Sequence, residues 1–510
     1  MRFGRMRNGD KMDNSAVQYE RFTQLVQELA DVGHAQGLLS WDQEVCMPPR
    51  GAAGRARAMG TLAGVHHDRH TAPELVELVE ALSEADLEGD RAVNVREMKR
   101  SQQRALRIPK ALIVELTQTE SLSHEAWVEA RKTDDFPTFR PWLEKVFELK
   151  RQVAEAVGYT GSIYNALFDE YEPYARVEDV GPVLADLRQR LVPLVGGILE
   201  SRSATDGLLT HPFDVTAQES FGRRVMTDLG FDLEAGRLDV AVHPFCSGTS
   251  PSDVRLTTRY SADLMQTSLF GIIHETGHGL YEQGLPDAEG MPVGGAISLG
   301  IHESQSRMWE NMVGRSREYW EHYLPILAEH FPEQLAGVEV DRIYAAVNRV
   351  EASLIRVEAD EVTYNLHILL RFELEKALIE GDLAVKDLPG AFADRMETYV
   401  GIRPDNDADG VLQDIHWSVG LIGYFATYTL GNLYAAQFYR KASVDLENLP
   451  AQIAAGNLSG LLGWLREHIH SVGQRRTAAE LVQDVTGEPL CVDYLMEYLE
   501  DKFKPLYGLS

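Results

Sequence analysis

The most telling stretch of the chain is His274-Glu275-Thr276-Gly277-His278. Residues four apart share one face of a helix, so both imidazoles can aim at one ion while Glu275 sits beside a bound water. That pattern points to a zinc-dependent peptidase with one Zn2+ per chain, for which cobalt or manganese could substitute. A catalytic zinc takes three protein ligands and keeps a fourth position for water. Glu303, in Ile301-His302-Glu303-Ser304-Gln305, is the leading candidate for the third ligand. His302 competes with it, because neighbouring helix residues point about 100° apart and only one of the pair reaches the metal easily. Zinc lowers the pKa of its water to about 7, so Glu275 can take the proton during attack on a peptide carbonyl and later deliver it to the leaving amine.

Such ligands need a rigid frame. Leu269, Phe270, Ile272 and Ile273 precede the motif, as in a buried helix, and Ile301, Met308, Trp309 and Met312 bury one side of a second helix around Glu303. A loop over 284–295, with Gly-Met-Pro and Gly-Gly pieces, lets the second helix return to face the first. Upstream, from Val17 to about Lys145, apolar residues recur at helical spacing, as in Phe22, Leu25, Val26 and Leu29, with a break at Met47-Pro48-Pro49 and a new helix from Ala52 to Ala63. Alternating Leu238, Val240, Val242 and Val254, Leu256, Thr258, Tyr260 suggest a small β-hairpin or ribbon, linked by a Gly-, Ser- and Pro-rich turn over 244–252. Helical spacing then holds to the C-terminus, with breaks expected over 284–295, at Pro389-Gly390 and over 403–410. No repeat or linker divides the chain. The expectation is one large, mainly α, multi-helix domain over 16–510 behind a loose tail over 1–15.

Composition excludes other classes. A net charge of -29 argues against a nucleic-acid binder and against anionic membrane surfaces, since phosphate-backbone affinity rests on clustered cations. No stretch approaches the roughly 18 to 20 apolar residues of a membrane helix. Three scattered cysteines, Cys46, Cys246 and Cys491, fit a reducing, cytoplasmic compartment better than a disulfide framework.

Further segments carry a family resemblance. His243-Pro244-Phe245, Asp253-Val254-Arg255-Leu256-Thr257, His302-Glu303-Ser304-Gln305, Ile355-Arg356-Val357-Glu358-Ala359-Asp360 and Gln413-Asp414-Ile415-His416-Trp417 resemble, in order, segments of the carboxypeptidase Taq family of metallocarboxypeptidases. Leu39-Ser40-Trp41-Asp42 and Asp169-Glu170-Tyr171-Glu172-Pro173 extend the match upstream. The resemblance implies a mainly helical fold with a deep groove, like that of neurolysin-type zinc peptidases, with the small β-ribbon near the active site. It also implies a divalent metal, a homodimer, and release of single residues from peptide C-termini. His274, His278 and Glu303 match the metal ligands and Glu275 the catalytic carboxylate.

An exopeptidase must hold the terminal carboxylate of its peptide substrate, and arginine suits planar, bidentate recognition. Arg255 and Arg356 are the candidates, each with an internal ion pair as its alternative, to Asp253 or Asp360 respectively; Arg403 is a weaker third. His243, His416 and Tyr424 could donate to the developing oxyanion. Asp360 and Asp414 are guesses for carboxylates behind the metal histidines. An oligoendopeptidase or dipeptidyl carboxypeptidase would share the metal chemistry and differ in how the substrate's end is held. A non-catalytic peptide-binding protein is the rival from another class, and the water-activating Glu275 counts against it.

Overall fold

Apolar stripes at helical spacing dictate most of the architecture. The computed structural model describes residues 8–201, 207–210 and 212–509. Four helices open the chain: α1 (Asn8–Val45), α2 (Ala52–His70), α3 (Pro73–Ser83) and α4 (Gly89–Arg107). The tail expected over 1–15 falls partly outside the described residues, which begin within it with α1. Phe22, Val26 and Leu29 of α1 meet Leu75, Val79 and Leu82 of α3 and Val93, Val95 and Met98 of α4 in a small core of their own. Met291 and Val293, from the loop beyond His278, complete that core. The rest of the protein shares one continuous core running from Leu112 to Phe503. The fold is a single, mainly α domain.

Three helices of the main core position the motif residues. The motif helix (Met265–Gly284) buries Leu269, Phe270, Ile272, Ile273, Leu280 and Tyr281. The ligand helix (Leu299–Arg307) starts at Ser298, whose hydroxyl accepts the Ile301 N–H (3.0 Å), and runs into a wider π-helical turn, Met308–Val313. Turns of that kind gather at functional sites. Glu172 anchors the start of the ligand helix, accepting from Ser298 Oγ (2.8 Å), the Gly300 N–H (3.0 Å) and the Tyr434 hydroxyl (3.2 Å). A carboxyl group suits a helix N-terminus, although full burial pushes this one up to about 7. The third helix, the cover helix (Ala426–Asp445), is buried along most of its length.

The sheet differs from the expected hairpin. β1 (Gly236–Val240), β2 (Cys246–Ser250) and β3 (Asp253–Thr258) lie in the order β1-β3-β2. β1 runs parallel to β3, with Leu238 opposite Leu256, and β2 runs antiparallel to it, with Cys246 opposite Leu256. The segment read as a turn is therefore mostly a strand, because sheet pairing uses backbone groups that Gly and Ser also possess. Val240 and Val242 are exposed, and of that alternation only Leu238 faces the core. Pro389 does not break a helix either. It sits in the first turn of the helix Leu388–Val400, where its missing N–H costs nothing, and the interruption lies upstream at Gly381 (φ 87°).

The ligand helix is gripped between two glycines. A methyl group at Gly277 of the motif helix would lie 2.6 Å from Ser306 Cα, and one at Gly431 of the cover helix 2.5 Å from Glu303 Cγ. Gly431→Ala is therefore expected to cost about 1–3 kcal/mol by overpacking and to displace Glu303. Thermal unfolding and a metal titration would show both effects, a lower Tm together with weaker metal binding.

Candidate active site

The motif helix turns His274 and His278 to one side, with ring centroids 4.9 Å apart. Glu303 comes to them from the ligand helix. Its Oε2 lies 3.6 Å from His274 Nε2 and 3.3 Å from His278 Nε2. Tetrahedral zinc, with bonds of about 2.0–2.1 Å, needs ligand atoms about 3.3 Å apart, so Glu303 Oε2 stands close to a ligand's spacing from both imidazoles. These are the residues among those described whose His, Cys, Asp or Glu ligand atoms converge closely enough to hold a metal.

Electrostatics prepares the same set. Burial would raise the Glu303 carboxyl, but the Arg307 guanidinium and the two imidazoles hold it well below the usual range. Burial pushes His278 down to about 3, which leaves a neutral ring able to ligate. Burial works against protonation of His274 too, yet Glu303 and Glu310 raise it, as a cation between two carboxylates would be. Glu275 is buried, its Oε2 has no hydrogen-bond partner, and burial pushes its carboxyl up to about 7. That buried oxygen is a hydrogen-bond acceptor left open beside His274, His278 and Glu303.

The supports behind the trio were not evident from the sequence. His274 Nδ1 is 2.9 Å from Glu310 Oε2, on the π-helical turn. Arg307 donates from Nε to Glu303 Oε1 (2.7 Å) and from Nη1 to Glu310 Oε2 (3.3 Å), and Ser306 donates to Glu303 Oε2 (3.0 Å). The Glu303–Arg307 spacing of four residues was the available signal. His302 does not join the trio; its Nδ1 meets His278 Nδ1 and its Nε2 meets Glu282. Asp360 and Asp414, the guesses for this role, lie elsewhere. Asp360 accepts the N–H groups of Val362 and Thr363, closing the turn that leads into the helix Tyr364–Glu380.

A second cluster gathers Arg356, His416 and Tyr424. Arg356 is buried, and its partner is Asp414, reached from Nε and Nη2 at 2.9 Å each, in place of the expected Asp360. Arg371, which the sequence did not single out, donates to the other Asp414 oxygen (2.6 Å) and keeps one buried Nη2 unpartnered. His416 has ring contacts with Tyr424 (5.6 Å) and Phe425 (4.5 Å), and burial lowers it to about 4. Glu375 ties this segment down by accepting from Trp417 Nε1 (2.8 Å), the Gly423 N–H (2.6 Å) and the Tyr164 hydroxyl (2.6 Å). Tyr364 joins the two clusters, with the Arg307 guanidinium 4.3 Å and the Arg356 guanidinium 5.9 Å from its ring.

The other candidates stand apart from these clusters. Arg255 binds Asp253 with both arms (2.8 and 3.0 Å) and stacks on Trp41 of α1 at 4.4 Å. His243 is exposed between β1 and β2, where its backbone carbonyl accepts from Thr257 (3.4 Å). Arg403 forms a surface pair with Asp394 and Glu397. A cavity of about 780 Å³ opens between α1, α4, β2 and the loop after the motif helix. Glu282, one turn beyond His278, lines it.

Comparison with known proteins agrees with this geometry. The sequence profile of the carboxypeptidase Taq (M32) metallopeptidases matches residues 21–503. Thermostable carboxypeptidase 1 of Thermus thermophilus is 45% identical over 505 residues, spanning 96% of this chain and 99% of that protein. Carboxypeptidase 1 of Bacillus subtilis is 36% identical, over 96% of this chain and 99% of its own. The crystal structure of an M32 carboxypeptidase from Deinococcus radiodurans R1 superposes with a TM-score of 0.94 at 41% identity, covering 97% of this chain and all of that one (100%). Helical fold, convergent His-His-Glu set and full-length similarity coincide, and the chain belongs to the carboxypeptidase Taq (M32) family of metallopeptidases.

Proposed function

We propose that this metallocarboxypeptidase is a zinc enzyme that releases single residues from the C-termini of peptides, with Glu275 as general base. The observation that carries the reading is the buried, unpartnered Glu275 Oε2 next to His274, His278 and Glu303. When bound, zinc supplies Lewis acidity and lowers the pKa of water to about 7. His274, His278 and Glu303 would hold it, and Arg307, by occupying Glu303 Oε1, leaves one carboxylate oxygen for the ion. Glu275 accepts the proton of the attacking water and passes it to the leaving amine. Tyr424 and His416 would donate to the oxyanion.

The substrate's terminal carboxylate is assigned to Arg356. Two buried arginines, Arg356 and Arg371, face one aspartate, Asp414, so the cluster carries an uncompensated positive charge that an anion would balance. Arg255 is the less favoured choice, since its charge is matched one for one by Asp253 and it stands apart from the cluster. The three cysteines are free, which suits the cytoplasm; a homodimer follows from the family resemblance.

Mass spectrometry of peptides digested by the zinc-loaded enzyme tests this reading. Stepwise loss of single C-terminal residues from free peptides, and none from C-terminally amidated ones, is expected; internal fragments would refute the exopeptidase assignment. Glu275→Gln should lower kcat by about 10²–10⁴-fold while binding zinc as the wild type does. Arg356→Lys removes the planar fork but keeps the charge, so KM should rise by about tenfold or more with kcat little changed. An unaltered KM would remove Arg356 from the carboxylate site.

A further inference from the structure

The two ligand histidines are held from behind in different ways. His274 Nδ1 meets a carboxylate directly, Glu310 Oε2 at 2.9 Å. His278 meets a second imidazole. Its Nδ1 lies 2.5 Å from His302 Nδ1, and His302 Nε2 lies 2.7 Å from Glu282 Oε1. The ring of His302 is fixed by its neighbours, 4.6 Å from the His278 ring and edge-on to Tyr281 at 5.1 Å.

Proton inventory gives this chain one direction. A histidine that ligates through Nε2 carries its proton on Nδ1. His278 must then donate from Nδ1, and the atom it meets, His302 Nδ1, must be the bare nitrogen. A neutral His302 with a bare Nδ1 has its proton on Nε2, where Glu282, an acceptor, stands ready for it. Reversing any tautomer would set two N–H groups, or two lone pairs, against each other. The three side chains come from two helices: His278 and Glu282 are one turn apart on the motif helix, and His302 immediately precedes Glu303 on the ligand helix. Adjacent residues of one helix thus serve the ion differently, Glu303 as a ligand and His302 through another ligand.

We infer that His302 is a positioning residue for His278, with Glu282 as the terminal acceptor that sets the tautomer of both rings. Outer partners of this type orient the ligand and raise its basicity, and their loss typically weakens metal binding about 10–100-fold. The role rests on the reading of His274, His278 and Glu303 as the metal site.

The experiment measures zinc affinity of the full-length protein by chelator competition, with thermal unfolding of the metal-free forms as a folding check. His302→Ala and Glu282→Ala should each bind zinc about 10–100-fold more weakly than wild type. Glu282→Gln keeps an amide oxygen that can accept the His302 N–H and should recover most of the affinity. A merely structural role for Glu282 would not distinguish Gln from Ala in metal affinity while leaving both folded. Folded His302→Ala with wild-type affinity would overturn the inference, and so would Glu282→Gln binding no better than Glu282→Ala. Should His302→Ala not fold, the Glu282 pair decides. His278→Ala separates the two levels of the claim: it must lose zinc, and if it bound as the wild type does, the metal-site reading itself would fall and this role with it.

Discussion

Burying a carboxylate as deeply as Glu303 costs several kcal/mol unless charges and hydrogen bonds compensate it. In this protein the compensation comes from Arg307 and Ser306, which reach Glu303 along the ligand helix itself, and from two imidazoles, which reach it because the motif and ligand helices approach closely. Gly277 on one side and Gly431 on the other leave no room for a β-carbon. Glu172 pins the start of the ligand helix, and the π-helical turn at its end delivers Glu310 to His274. The large helical core acts as the mould for one desolvated anion among nitrogen donors. A divalent cation completes such a set by replacing the solvation that the carboxylate lost.

Charge is organised at two scales. The chain as a whole is strongly acidic, with a net charge of -29, yet the interior around Asp414 holds two arginines for one carboxylate. Tyr364 lies between this cationic pole and the Glu303–Arg307 pair. A peptide's terminal carboxylate and its scissile carbonyl are separated by one residue. The proposed carboxylate site at Arg356 and the proposed metal site at His274, His278 and Glu303 would together supply the arrangement an exopeptidase requires.

Much of this was legible in the sequence, and the limits have physical causes. Helical spacing alone aligned His274 with His278 and placed Glu275 beside them, since those relations are local. The choice between Glu303 and His302 was not local. Adjacent helix residues differ by a fixed rotation, but the absolute rotation of the ligand helix is set by its packing against the motif and cover helices. Arg307 was within reach of pattern reading, four residues from Glu303. Asp414, 58 residues beyond Arg356, was not, and the nearer Asp360 turned out to close a turn of its own. The strand Cys246–Ser250 was hidden because its Gly and Ser residues resemble a turn, and strand order records long-range pairing that alternation does not encode.

Anomalous diffraction from crystals of the zinc-loaded protein, recorded on both sides of the zinc absorption edge, tests the central claim most directly. One strong peak per chain is predicted, within bonding distance of His274 Nε2, His278 Nε2 and Glu303 Oε2, with His302 outside the coordination sphere. A peak ligated by His302, or one placed away from the motif helix, would contradict the account.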